Sequence, residues 1–200
     1  MSKLENARRT LANYITPALA RLLARMPLSP DALTCLGFVI NIGAAVLVAF
    51  DHFLAAGALV LVAGLFDLLD GALARLTNRV SRFGGILDST LDRLSEAAVL
   101  LALLVVFSRG QHVYYTLLVG VALLGSLMVS YIRARIEAMG IKCEAGIFTR
   151  PERVIILALG LMLNQFNYAL ISALGIIAFF SWITVIERLI YAWRNARDKS

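Results

Sequence analysis

The chain has 200 residues, of which 60% are hydrophobic and 16% charged, with a mean hydropathy of +0.81 and a formal net charge of +6. That balance excludes an ordinary water-soluble domain, where about half the residues are apolar and about a quarter charged. Basic residues set among apolar runs suit a membrane protein meeting anionic headgroups and phosphorylated metabolites, and give no reason to expect nucleic acid as a partner.

In residues 1–27, Leu4, Ala7, Leu11, Tyr14, Ile15, Ala18, Leu19, Leu22 and Leu23 recur at helical spacing, with Arg8, Arg9, Arg21 and Arg25 between them. This is the pattern of an amphipathic helix lying in the membrane interface. Thr16-Pro17 suits a cap followed by proline at the first helical position, so a break is expected there. Charge scattered through the stretch, with no compact apolar run, disfavours a signal peptide. Pro27 and Pro30 then turn the chain into its first span.

Six apolar runs follow, at residues 32–50, 54–76, 85–107, 113–136, 153–166 and 168–191. A helix needs about 20 residues to cross the ~30 Å hydrocarbon core, and the fifth run is short of that. The expected fold is an all-α integral membrane protein, with six transmembrane helices in residues 28–200 preceded by the interfacial segment. Lys and Arg collect on the cytoplasmic side of short loops. Lys3, Arg8, Arg9, Arg21, Arg25, Arg75, Arg79, Arg82, Arg133, Arg135, Lys142, Arg150, Arg153, Arg188, Arg194, Arg197 and Lys199 fall on one side, and Arg109 alone falls on the other. Both termini are therefore expected in the cytoplasm, with the protein multi-pass in the plasma membrane. Cys35 and Cys143 are isolated on the cytoplasmic side and read as packing residues rather than a disulfide or zinc site, and His52 and His112 fall in the short loops of the far face.

The second and third runs carry Asp67, Asp70, Asp88 and Asp92. Carboxylates inside a bilayer are costly and mark function. Asp67 and Asp70 are three apart and Asp88 and Asp92 four apart, spacings that place each pair on one helix face. Asp67 and Asp92 lie about 12 residues from the centre of the intervening loop and Asp70 and Asp88 about 9, so at ~1.5 Å rise per residue the pairs match in depth. Four converging carboxylates repel strongly unless cations neutralise them, and hard oxygen ligands favour one or two ions of Mg²⁺ or Mn²⁺ over Zn²⁺. Gly71 and Ala74 share the face of Asp67 and Asp70, leaving room for a ligand, and Arg75 offers a planar fork to a phosphate. The competing structural reading is a buried ion-pair network of Asp67, Asp70, Arg75 and Arg93.

These residues resemble the signature of the CDP-alcohol phosphotransferase (CDP-alcohol phosphatidyltransferase class I) family, D-x-x-D-G-x-x-A-R-x8-G-x3-D-x3-D. Asp67, Asp70, Gly71, Ala74, Arg75, Gly84, Asp88 and Asp92 match every fixed position. The resemblance implies a homodimeric enzyme that transfers a phosphatidyl group from a CDP-linked lipid to an alcohol and releases CMP. In that chemistry two metals clamp the charge on the leaving phosphate, with Asp67, Asp70 and Asp88 as ligands. Asp92, the deepest carboxylate of its helix, divides between ligation and general base. For the nucleotide the resemblance points to Gly71, Ala74, Arg75, Ser81 and the segment Pro30, Asp31, Ala32, Leu33 and Thr34. Ser29 or Asp31 would equally serve to cap the first span.

The stretches from Tyr131 to Arg135 and from Arg150 to Arg153, with Glu187-Arg188, look like those that hold an inositol phosphate in the phosphatidylinositol phosphate synthase branch. Arg133 departs from a position commonly held by Lys there, keeping the charge. Arg133, Arg153 and Arg188 are expected to bind the acceptor phosphate, although positive charge at these helix ends also suits topology and the helix dipole. The expected acceptor is inositol 1-phosphate. The alternatives are glycerol 3-phosphate, as in a phosphatidylglycerophosphate synthase, an archaeal ether-linked donor, as in an archaetidylinositol phosphate synthase, and, outside the family, a divalent-cation transporter.

Overall fold

The computed structural model describes residues 29–77, 80–143, 145–166 and 168–197, so the amphipathic segment expected over residues 1–27 lies outside the described residues. Within them the chain is entirely helical: α1 is Pro30–Ala49, α2 Phe53–Leu76, α3 Arg82–Arg109, α4 Val113–Ala138, α5 Arg150–Met162 and α6 Ala169–Arg197.

The helix starts follow from local chemistry. Ser29 caps α1, its Oγ accepting from the Ala32 N–H at 3.2 Å, with Pro30 in the first turn. Ser81 does the same for α3, accepting from the Gly84 N–H at 2.8 Å. At α5, Glu152 accepts from the Thr149 N–H at 2.9 Å and Pro151 occupies the first turn. On the opposite side the chain reverses through tight turns in which Asp51 and Gln111 take φ of 62° and 56°.

Four of these helices are long and apolar enough to cross a membrane: Pro30–Ala49, Phe53–Arg75, Val113–Ala138 and Ala169–Asn195. The other two fall outside that set for different reasons. The helix α3 has the length, at 28 residues, but carries Asp88, Asp92, Arg93 and Glu96. The helix α5 has 13 residues, which at 1.5 Å each gives about 20 Å.

The principal contacts run α1 to α2, α2 to α5, α5 to α6, α6 to α4, α4 to α3 and α3 back to α1, closing a ring. Its apolar interior includes Val48, Val60, Leu100, Leu103, Val119, Leu161 and Leu174. Ala44, Ala56, Ala63, Ala122 and Ala158 are fully buried. Small residues at such contacts let helices approach closely, which matters in lipid, where apolar surface gains little by leaving one apolar medium for another. Leu54, Leu65, Leu101, Leu117, Leu124, Phe179 and Ile186 point outward and stay exposed, as a lipid-facing belt requires. Cys143 packs with Val129, Ile132 and Val185 as expected, whereas Cys35 is exposed on α1 and takes no part in the core.

Candidate functional site

The sequence places Asp67 through Arg75 at the end of α2, Ser81 through Asp92 at the start of α3, and Pro30 through Thr34 at the start of α1. Because successive helices alternate in direction along the chain, Arg133 at the end of α4, Arg150 and Arg153 at the start of α5, and Arg188 towards the end of α6 come to the same side. Two cavities of about 320 Å³ each open there.

The first lies between α1, α2 and α3 and is lined by Pro30, Asp31, Thr34, Asp70, Gly71, Ala74, Arg75, Val80, Ser81, Gly84, Gly85 and Asp88. Seven of the nine residues expected at the nucleotide line it. Ala32 and Leu33 do not: at 100° per residue α1 turns Ala32 to the outside and Leu33 into the core, where it is 1% exposed. Thr34 reaches across to donate to Asp70 Oδ2 at 2.6 Å. Gly84 explains its place in the pattern, since a Cβ there would stand 2.8 Å from Asp31 Oδ1 and 2.9 Å from Ser81 Oγ. Arg75 is exposed and its guanidinium lies over Gly71.

Asp67, Asp70, Asp88 and Asp92 lie within electrostatic reach of one another, as the helix spacing requires. Their ion-pair partner is not one that the competing structural reading named. Arg150 Nη2 stands 2.8 Å from Asp67 Oδ2 and its Nη1 2.7 Å from Asp92 Oδ1. The network of Asp67 and Asp70 with Arg75 and Arg93 is absent among the described residues, and Arg93 instead donates to the Ser89 carbonyl in its own helix. As placed, no three carboxylate, His or Cys side chains among the described residues converge tightly enough to ligate one ion. The donor set nevertheless fits a hard divalent cation: four mutually coupled carboxylates with a positive group already settled between two of them.

The second cavity lies between α3, α4, α5 and α6, with Asp92 in its wall. It is lined by Ser89, Asp92, Arg93, Ser130, Arg133, Glu137, Thr149, Arg150, Arg153 and Arg188, among others. All three arginines expected at an acceptor phosphate are brought together here, in different states. Arg133 is half exposed and paired with Glu137 at 2.8 Å. Arg188 is buried and donates through Nε to the Ala145 carbonyl at 3.0 Å and through Nη1 to the Val129 carbonyl. Gly146 makes this possible: its φ of 117° suits glycine, and a Cβ would fall 2.8 Å from Arg188 Nε. Arg153 is buried against Glu96.

Glu96 and Glu137 were missing from the expected site, and Arg150 was expected only within the stretch at the acceptor, not as partner of Asp67 and Asp92. Glu96 had a readable signal, since Asp88, Asp92 and Glu96 continue one acidic stripe at four-residue intervals. Arg150 had a weaker one, its place three residues before Arg153 on a capped helix start.

Comparison with known proteins gives concordant results. Residues 27–190 match the family described as CDP-alcohol phosphatidyltransferase. The archaetidylinositol phosphate synthase of Methanothermobacter thermautotrophicus is 35% identical over 195 residues, covering 94% of this chain and 97% of that protein. The crystal structure of Mycobacterium tuberculosis phosphatidylinositol phosphate synthase with CDP-DAG bound superposes with a TM-score of 0.82 at 35% identity, over 90% of this chain and 94% of that one. A second crystal structure of that enzyme, in complex with manganese and citrate, gives a TM-score of 0.80 at 35% identity, over 90% and 89%.

Proposed function

The chain belongs to the CDP-alcohol phosphatidyltransferase family, and from that premise we propose that it transfers the phosphatidyl-type group of a CDP-linked lipid to inositol 1-phosphate and releases CMP. Membership of a transferase family replaces the reading as a cation transporter. The observation that carries the acceptor assignment is the arginine-lined cavity adjoining Asp92, because a neutral alcohol has no use for Arg133, Arg153 and Arg188 around it. The names of the relatives, which share an inositol phosphate product and differ in the lipid, support the same reading.

The roles divide along the two cavities. Pro30, Asp31, Thr34, Gly71, Ala74, Arg75 and Ser81 hold the CDP moiety in the first. Arg133, Arg153 and Arg188 hold the acceptor phosphate in the second. Asp92, which lines the second cavity, takes the proton from the attacking hydroxyl as the new phosphorus–oxygen bond forms and the bond to CMP breaks. Asp67, Asp70 and Asp88, with Asp92 shared, would hold Mg²⁺ or Mn²⁺, two ions by the family pattern, which would supply charge neutralisation on the leaving phosphate. The manganese complex of the mycobacterial enzyme supports a divalent ion at this kind of site.

We read residues 28–200 as the catalytic domain, with residues 1–27 as the interfacial segment. All six helices cross the membrane in this reading: α3 turns its charges towards the cavities, and the short α5 completes its crossing with the turn at residues 163–166 that follows it. Both termini and the active site face the cytoplasm of the plasma membrane, following the basic loops, and the enzyme is a homodimer like others of its family. The deciding experiment supplies purified enzyme with CDP-diacylglycerol and a panel of acceptors. Product with inositol 1-phosphate and none with free inositol is expected, and product with glycerol 3-phosphate alone would overturn the assignment. Repeating it with an ether-linked CDP-lipid separates the two donor classes that the relatives' names represent.

A further inference from the structure

Arg153 is 1% exposed, yet only two of its three guanidinium nitrogens have partners. Nε and Nη2 donate to the two oxygens of Glu96 at 2.6 and 2.8 Å, and Nη1 is buried with no partner. A buried donor on a charged group without an acceptor is costly, so its persistence in the wall of the second cavity calls for a ligand. Glu96 is 8% exposed, lies outside the eight signature positions and stands one turn beyond Asp92 on α3.

We infer that Glu96 is a positioning residue for the acceptor: it clamps one edge of Arg153 so that Nη1 is presented, already oriented, to an oxyanion of the acceptor phosphate. The inference rests on the acceptor reading above. A bidentate carboxylate fixes the plane of the guanidinium, which a single contact would leave free to rotate. It also decides which anion Arg153 serves. The anionic groups lining the second cavity are Asp92 and Glu137, and Glu137 is engaged by Arg133. Without Glu96, Arg153 would turn to Asp92, which Arg150 already contacts, and would both abandon the phosphate and burden the proposed base. Three residues apart on α5, Arg150 and Arg153 are thus sorted to different partners, Arg150 to the signature carboxylates and Arg153 to Glu96.

The test varies CDP-diacylglycerol and inositol 1-phosphate separately in steady-state kinetics, with thermal unfolding of each variant in detergent. Glu96→Gln, nearly the same shape, is expected to raise the acceptor KM about tenfold or more while the donor KM stays within about twofold. Glu96→Asp, which keeps the charge on a shorter stem, is expected to fall between Glu96→Gln and the unaltered protein. Arg153→Lys keeps a cation beside Glu96 but has no Nη1, and is expected to lose acceptor affinity at near-normal unfolding temperature. Arg153→Ala separates the two layers of the argument. If it leaves the acceptor KM unchanged, the acceptor-site reading itself fails. If it raises that KM and folded Glu96→Gln does not, or if Glu96→Gln raises both KM values alike, the positioning role is overturned. Should Glu96→Gln fail to fold, an unchanged acceptor KM in Glu96→Asp overturns it instead.

Discussion

The cavity among α1, α2 and α3 is walled by small residues, Gly71, Ala74, Gly84 and Gly85, with Asp31, Asp70 and Asp88 and one exposed arginine. The cavity among α3, α4, α5 and α6 is walled by five arginines and by Asp92 and Glu137. Both measure about 320 Å³, so volume does not distinguish them. Charge does: an anionic wall suits a pyrophosphate only with cations between, whereas a cationic wall takes a phosphomonoester directly. Asp92, within electrostatic reach of the other three aspartates and lining the arginine cavity, stands where the two chemistries meet.

This contrast can be broken most sharply at the junction. Asp92→Asn is expected to lower turnover by about 10²–10⁴-fold, the range of general-base contributions, while CDP-lipid binding survives; retained turnover would remove Asp92 as the base. Removing divalent ions with a chelator is expected to abolish transfer and to be reversed by Mg²⁺ or Mn²⁺, and an enzyme indifferent to chelation would dissolve the distinction between the walls. Asp70→Asn should weaken metal-dependent nucleotide binding with the acceptor site untouched, measured by CDP or CMP titration with and without Mg²⁺. On the other side, Arg153→Ala is expected to raise the acceptor KM by about 10–100-fold, the worth of a hydrogen bond to a charged group, with little change for the donor. A smaller, matched pair sharpens the picture. Gly84→Ala should raise the donor KM and Gly146→Ala the acceptor KM, each by several-fold, because each Cβ would crowd a different cavity's lining. Equal effects on both substrates would show that the cavities are not independent.

The aspartate cluster was legible because spacing on a helix converts directly into a face, and depth converts into a count of residues from the loop. The cap at Ser29 was legible for the same local reason. Leu33 and Ala32 fall outside the cavity lining because a helix presents only every third or fourth residue to one side. Arg150 bridging Asp67 and Asp92 was beyond reach, since it depends on which helix start the ring closure brings to the end of α2. Six apolar runs were visible, yet their order around the ring, 1-2-5-6-4-3, depends on packing that a hydropathy profile does not contain.

The two arginines of α5 are three residues apart on a rigid rod, a rise of about 4.5 Å. Arg150 pairs with Asp67 and Asp92, and in the proposed reading Arg153 offers its spare nitrogen to the phosphate at the far end of the incoming alcohol. On that reading the rod works as a calliper: an alcohol would be accepted according to the reach between its nucleophilic hydroxyl and its phosphate, and a molecule with the right groups at the wrong separation would satisfy one jaw only.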